Sequence, residues 1–187
     1  SNPGKIFINM VVNQANYRQV SQLPALAQQI GARGFHLIPI FARNAELSHL
    51  TQAQIIEFNE HIAPVAYAQS QELGLEVAPH DLWVFGTSNT EVESSAQGNY
   101  AHQYYQNHPC YALWTHALID HNGNVAPCCT LTDQVVIGNL KEQSFKQIWQ
   151  GKTFTQLRQA SYPIHSACNR CTMFLPKNQK IEALVAQ

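Results

Sequence analysis

Charged side chains are scarce in this sequence, and neither sign dominates. The 187 residues include 11 Lys or Arg and 12 Asp or Glu, which gives a net charge of −1 at pH 7. The two signs are interspersed, so there is no basic stripe to follow a phosphate backbone and no polybasic segment for an anionic lipid surface. No apolar run approaches the length needed to span a bilayer. We therefore expect neither a nucleic acid nor a membrane as a partner.

Cysteine is missing from the first 109 residues. All five cysteines lie between Cys110 and Cys171, and Cys128 and Cys129 are adjacent. A disulfide framework usually has an even and dispersed set of cysteines in a small secreted chain. This distribution instead favours thiolates that act as ligands in a reducing compartment, and it predicts a cytoplasmic protein.

The sequence also lacks an initiator Met and a recognisable secretory signal. It begins Ser1-Asn2-Pro3-Gly4 and runs directly into an apolar segment, a pattern typical of a cleaved expression tag joined to a truncated chain. We expect the natural protein to continue upstream of this segment.

Strand-like and helix-like segments alternate over the first 80 residues. The runs IFINMVV (6–12), FHLIPIF (35–41) and LEVAPH (75–80) are expected to be strands buried on both faces. Apolar residues recur at helical spacing between them, Thr51 with Gln54 forms a capping box, and Pro64 is expected to kink the second helix. The order β-α-β-α-β predicts an α/β fold in which a parallel sheet belongs to a larger α/β unit.

The composition changes after residue 83. Residues 84–107 are rich in Ser, Asn and Gln without a clear period, which predicts a linker or loop. Residues 108–187 then indicate a second domain of short strands and tight turns. LWTHALID and VAPCC flank Asn122-Gly123, the pair preferred in a two-residue hairpin turn of type I′. A further short strand is predicted in VVIGNL (135–140), and helices are predicted after Ser144 and over 154–160.

The cysteine spacing predicts a metal centre in this second domain. The first pair is Cys110-x12-Gly123-x4-Cys128, and the second is the C-x-x-C turn of Cys168 and Cys171, which directs two sulfurs at one centre. Four thiolates suit either zinc or an iron–sulfur cluster. A disulfide or simply buried thiols are the remaining alternatives.

The hairpin decides which member of the cysteine doublet belongs to this centre. With Asn122-Gly123 as the turn, antiparallel counting places Cys128 opposite Ala117 and Cys129 opposite His116. Neighbouring side chains face opposite sides of a strand. We therefore assign Cys128 to the site and leave Cys129 outside it.

These motifs resemble a known family. The C-terminal half contains C-x12-G-x4-C, GNL-x3-SF-x2-IW (138–149), F-x2-LR (154–158) and C-x2-C. Together these motifs are similar to the C-terminal SPASM/twitch region of radical S-adenosylmethionine (SAM) enzymes. The stretches INMVVNQAN-x-RQV and IGARGFHLIPIF resemble the last strands of the partial (β/α)6 barrel of those enzymes. The resemblance implies a C-terminal β-α-β-α-β portion of a partial TIM-like barrel over 1–83 and a linker over 84–107. Residues 108–187 would then form a small α+β auxiliary domain with a β-hairpin.

The resemblance also implies the cofactors. It makes Cys110, Cys128, Cys168 and Cys171 the ligands of one auxiliary [4Fe-4S] cluster, and the absence of cysteine after Cys171 matches the shortened twitch form. The C-x3-C-x2-C loop of the SAM cluster is absent from this sequence, so SAM and a second [4Fe-4S] cluster are expected only in the full-length parent. The chain alone is expected to be inactive. In the parent, the missing N-terminal half of the barrel would act with it on a peptide or small-molecule substrate.

Polar residues follow the predicted barrel strands, where barrel enzymes place functional groups. Asn13 and Arg43 follow the first and second strands and are candidates for contacts with SAM or substrate. His80 and Asp81 end the third and are a candidate acid/base pair. The alternatives are a local turn or cap role for Asn13 and a solvated polar role for His80.

Two other functions stay open at this point. His102, His108, His116 and His121 lie close in sequence to the cysteines, so zinc could occupy a four-cysteine or mixed Cys/His site in a binding module. The chain could also be a degenerate, non-catalytic partner subunit of a complete enzyme.

Overall fold

The structure, a computed structural model, describes residues 6–41 and 49–185 of the chain. The chain divides into two units, Ser1–His102 and Gln103–Gln187. The helices of the first unit are α1 (Leu23–Ile30), α2 (Gln52–Glu57), α3 (Ala63–Glu72), α4 (Pro79–Leu82) and α5 (Asn89–Ala96). Over the described ranges, none of the helices in either unit combines the length and the hydropathy of a membrane-spanning segment.

A parallel pair of strands confirms the α/β character expected for the first unit. Strand β1 (Phe7–Val12) pairs with β2 (Gly34–Pro39) in one continuous register. Parallel neighbours need a crossover connection, which a 3₁₀ turn at Tyr17–Gln22 and α1 supply. Gly31 ends α1 with a φ of +70°, a conformation that glycine adopts without strain.

The second helical segment contains the predicted capping box and a π-helical turn. The Thr51 hydroxyl accepts from the Gln54 N–H, and the Gln54 side chain accepts from the Thr51 N–H. A π turn at Phe58–Ile62 separates α2 from α3, which has Pro64 in its first turn. Proline cannot donate a helical hydrogen bond, so the expected disturbance at Pro64 is accommodated by a change of helix type.

The prediction of a third strand over LEVAPH (75–80) is wrong. Its backbone makes a hydrogen bond from the Glu76 N–H to the Arg33 carbonyl, beside the start of β2, and then turns into α4. Pro79 has no N–H for a strand ladder and begins the helical turn, while the Asp81 carboxylate accepts from the Ala78 N–H. The sheet described in this unit is therefore two-stranded, and a barrel segment stays a prediction.

Gly34 allows this segment to pass close to β2. A Cβ atom on Gly34 would lie 2.5 Å from the Glu76 carbonyl oxygen. We expect Gly34→Ala to lower the free energy of unfolding of the first unit by about 1–3 kcal/mol, because the Glu76 backbone must move. Urea unfolding followed by circular dichroism measures this change. An unchanged unfolding midpoint would show that the close approach has no energetic importance.

The segment expected to be a linker or loop contains regular structure. Helix α5 begins at a capping box formed by Ser88 and Glu91. Phe85 is buried in the core of the first unit, and the buried Ser95 hydroxyl donates to its carbonyl at 2.8 Å. The polar residues that suggested a loop are therefore partly caps and buried hydrogen-bonding groups.

The second unit is built from short elements. Its strands are β3 (Leu118–Ile119), β4 (Asn124–Ala126) and β5 (Gly138–Asn139), in one antiparallel sheet of that order. Its helices are α6 (Tyr104–Asn107), α7 (Ala112–Thr115), α8 (Phe145–Trp149), α9 (Lys152–Gln159) and α10 (Leu175–Val185). Two 3₁₀ turns, Cys129–Leu131 and Ser166–Arg170, carry or adjoin cysteines. The strand in VVIGNL and the Ser144 cap of α8 are confirmed.

The hairpin has a three-residue loop in place of the predicted two-residue turn. The Asp120 N–H donates to the Asn124 carbonyl, so His121, Asn122 and Gly123 form the loop. The Asp120 carboxylate accepts from the N–H groups of Asn122 and Asn124, and Gly123 has a φ of +86°. The Asp120 side chain therefore selects a longer loop than the Asn-Gly pair alone indicates.

This loop shifts the hairpin register by one residue. Leu118 pairs with Ala126 and Ile119 with Val125, so the predicted pairing of Cys128 with Ala117 is wrong. The first arm of the hairpin is also shorter than predicted, because α7 occupies part of LWTHALID. Trp114 lies on α7 and is 44% exposed.

Candidate metal centre

Four of the five cysteines line one cavity in the second unit. The cavity has a volume of about 340 Å³, which includes the space at its opening to solvent. Its cysteines are Cys110, Cys128, Cys168 and Cys171. The remainder of the lining is largely apolar and consists of Tyr105, Ala112, Leu113, Thr130, Leu131, Ile164 and Phe174.

Different local structures position the four sulfurs. Cys110 lies just before α7, and Cys128 lies between the end of β4 and a 3₁₀ turn. Cys168 belongs to the 3₁₀ turn Ser166–Arg170 and Cys171 follows it directly, with the Cys171 N–H donating to the Cys168 carbonyl at 3.1 Å. The C-x-x-C pair is therefore formed by one tight turn, while the other pair is brought together by the β3–β4 hairpin.

Burial disfavours the ionised form of three of these thiols and raises the pKa of each. It raises the pKa of Cys110, raises that of Cys128 to about 12, and raises that of Cys168 to about 11. The negative charge that Cys171 carries when ionised acts in the same direction on all three. A bound metal reverses this preference, because it replaces the protons and neutralises the thiolates.

Backbone donors partly oppose this effect of burial. The Ala112 N–H lowers the pKa of Cys110 by hydrogen bonding, and the N–H groups of Leu131 and Thr130 lower that of Cys128 in the same way. Donors of this kind stabilise thiolates that bind a metal. The local backbone therefore suits the ionised form of Cys110 and Cys128.

Zinc and an iron–sulfur cluster place their four sulfur ligands differently. Within the described ranges, no group of three or more His, Cys, Asp or Glu side chains is arranged to hold a metal ion. Four cysteines on one zinc all lie about 2.3 Å from the same centre. In a [4Fe-4S] cluster each thiolate binds a different iron, so its sulfurs surround a volume.

The fifth cysteine and the candidate histidines lie outside this lining. Cys129 is exposed to solvent, and His102 belongs to the first unit. His108 pairs with Glu182 at 2.6 Å, and the ring of His116 contacts Phe174, which does line the cavity. None of these side chains lines the cavity itself.

The candidates in the first unit are engaged in local structure. The Asn13 side chain accepts from the Ala15 N–H at 2.8 Å, which is a turn contact. Asp81 accepts from the Ala78 N–H and pairs with the Nδ1 atom of His36 at 3.0 Å. The Nε2 atom of the exposed His80 is 3.7 Å from the Asp81 carboxylate. Arg43 lies outside the described residues.

Two residues near the cavity were missed by sequence reasoning. Asn178 is 1% exposed and its Nδ2 atom lies 3.5 Å from the Cys110 sulfur. Tyr105, also 1% exposed, lines the cavity and accepts a hydrogen bond from Asn178 at 2.9 Å. The available signal was the position of Asn178 four residues after Phe174, on the buried side of α10.

Comparisons with known proteins agree with the cysteine geometry. Residues 110–172 match the family model of SPASM, described as an iron-sulfur cluster-binding domain. No curated protein and no solved structure matches the chain. The matched range begins at Cys110 and includes the other three cysteines of the cavity. The match supports a SPASM iron–sulfur cluster-binding domain within the second unit.

Proposed function

We propose that the chain is the C-terminal part of a radical SAM enzyme. In this proposal the second unit holds one auxiliary [4Fe-4S] cluster through Cys110, Cys128, Cys168 and Cys171. The observation that carries it is the convergence of these four thiols on one cavity within the matched residues. Four thiolates are a usual ligand set for such a cluster.

The cavity lining supports a redox role. Leu113, Leu131 and Phe174 are buried apolar residues that limit the access of water to the four sulfurs. When bound, a [4Fe-4S] cluster supplies one-electron transfer. Because the four cysteines would supply one thiolate to each iron, this ligand set would favour electron exchange with substrate over direct binding of substrate to iron.

The first unit has features of a larger parallel sheet. Parallel sheets are normally covered on both faces. Phe7 and Val11 of β1 are nevertheless exposed, as is His36 of β2, which stacks on the Phe7 ring at 5.1 Å. These exposed groups support the proposal that further barrel strands and their helices cover this sheet in the parent. SAM and a second [4Fe-4S] cluster would bind there, with a peptide or small molecule as substrate.

Metal and sulfide analysis tests the cluster proposal. After anaerobic reconstitution with iron and sulfide, we expect about four irons and about four sulfides per chain and a broad absorption in the visible range. Binding of about one zinc per chain, with no visible absorption after the same treatment, would contradict it and favour a zinc-stabilised binding module.

The radical SAM proposal needs a separate test. We expect the coding sequence upstream of this chain to encode C-x3-C-x2-C, the loop that binds the SAM cluster. If the natural protein carries no such loop, the chain is instead a non-catalytic partner subunit, and the cluster proposal is unaffected.

A further inference from the structure

The buried carboxamide of Asn178 links three groups around one proposed cluster ligand. Its Oδ1 atom accepts from the Tyr111 N–H at 2.9 Å. Its Nδ2 atom donates to the Tyr105 hydroxyl at 2.9 Å and to the Cys110 sulfur at 3.5 Å. Asn178 thus contacts the two residues that lead into α7 and a residue of the cavity wall.

The chemistry of these partners fixes the orientation of the amide. The backbone N–H of Tyr111 can only donate, so it must face the Oδ1 atom of Asn178. The Nδ2 group therefore points to the Cys110 sulfur, which only accepts once it is a metal-bound thiolate. A carboxamide is suited to this position because it offers an acceptor on one side and two donors on the other.

Tyr105 holds the donor end of this amide. Its hydroxyl oxygen accepts from the Asn178 Nδ2 atom at 2.9 Å, and its side chain lines the same cavity as Cys110. Partners at both ends of the Asn178 amide, Tyr111 and Tyr105, therefore hold it with its Nδ2 group beside the Cys110 sulfur.

A second contact holds α10 in the position that this arrangement needs. Glu182 lies one helical turn beyond Asn178. Its carboxylate accepts from the Tyr104 hydroxyl at 2.8 Å and pairs with the Nδ1 atom of His108 at 2.6 Å. The segment that leads to Cys110 is thus fastened to α10 at two successive turns, which restricts the position of Asn178.

We propose that Asn178 and Tyr105 are positioning residues that hold the Cys110 thiolate and raise the reduction potential of the cluster bound to it. Hydrogen bonds to ligand sulfurs stabilise the reduced cluster, which carries one more negative charge than the oxidised cluster. The inference rests on the proposed function. It extends the site beyond residues 110–172, because both residues lie outside the matched range.

The test is the midpoint potential of the reconstituted cluster in Asn178→Asp. This substitution keeps the size of the side chain and the acceptor for Tyr111, but it replaces the donor that faces Cys110. We expect about four irons per chain and a midpoint potential more negative than that of the unsubstituted chain. Gln179→Glu is the matched control, since it makes the same chemical change on an exposed neighbour in α10, and we expect it to leave the potential unchanged.

The outcomes separate this inference from the proposed function. An unsubstituted chain that binds no cluster refutes the proposed function before any variant is compared. Asn178→Asp with full iron content and the unsubstituted potential overturns the inference alone. If Asn178→Asp does not retain the cluster, Asn178→Ala decides, because it removes the donor to Cys110 without adding a charge: a more negative potential supports the inference, and an unchanged potential overturns it.

Discussion

Cys128→Ala will abolish cluster binding, whereas Cys129→Ala will leave it intact. Cys128 lines the cavity and is half-buried, but the adjacent Cys129 is exposed and lies outside the lining. Removing a ligand leaves one iron without its thiolate. We expect the affinity for the cluster to fall by more than about 100-fold, the upper end of what changes around a ligand usually cost.

Iron content after anaerobic reconstitution and desalting measures this effect in both variants. The two substitutions remove the same chemical group from neighbouring positions, so each is the control for the other. Loss of iron in Cys129→Ala with retention in Cys128→Ala would show that Cys129, and not Cys128, is the cluster ligand. Equal retention in both variants would contradict the four-cysteine ligand set.

Phe154→Ala will strongly destabilise the second unit. Phe154 is fully buried, its ring centre lies 4.7 Å from that of Trp149, and the Arg158 guanidinium packs 4.3 Å from the Phe154 ring centre. Arg158 in turn donates to the carbonyl of Leu113, a residue of the cavity wall, at 3.0 Å. We expect the loss of a buried aromatic ring at this position to lower the free energy of unfolding by about 3–5 kcal/mol.

Urea unfolding of the metal-free chain measures this loss of stability. Phe145→Ala is the matched control, because Phe145 also contacts Trp149, at 5.6 Å between ring centres, but is 42% exposed. We expect that variant to lose less than about 1 kcal/mol. Similar losses in the two variants would contradict the assignment of Phe154 to the core.

The sequence motifs between the two cysteine pairs have a structural role. In the GNL-x3-SF-x2-IW stretch, a Cβ atom on Gly138 would lie 2.9 Å from the Ile148 side chain, so glycine lets α8 pack against β5. In the F-x2-LR stretch, Phe154 and Arg158 form the aromatic and cationic packing around Trp149. These residues pack strands and helices of the same unit as the cysteines.

Local signals in the sequence predicted much of the secondary structure. The predicted capping box at Thr51 and the predicted helix cap at Ser144 depend on residues a few positions apart, and both are present. The errors arose where a single side chain changed the local preference. Pro79 turned an expected strand into a helical turn, and Asp120 stabilised a longer hairpin loop than Asn122-Gly123 indicates.

The candidate site also combines a feature that the sequence predicts with one that it does not. The turn between Cys168 and Cys171 is local, so its spacing predicts its geometry. The contact between Asn178 and Cys110 joins residues 68 positions apart and depends on where α10 packs. The spacing of Asn178 from Phe174 indicates which side of the helix it occupies, but only the three-dimensional structure identifies its partner.

Mössbauer spectroscopy of the chain reconstituted with isotopically enriched iron tests the central claim most directly. All of the bound iron should belong to one [4Fe-4S] cluster, at about four irons per chain, and the signal should be absent in Cys128→Ala. Iron in mononuclear sites, or a cluster that persists at full occupancy in Cys128→Ala, would contradict the account.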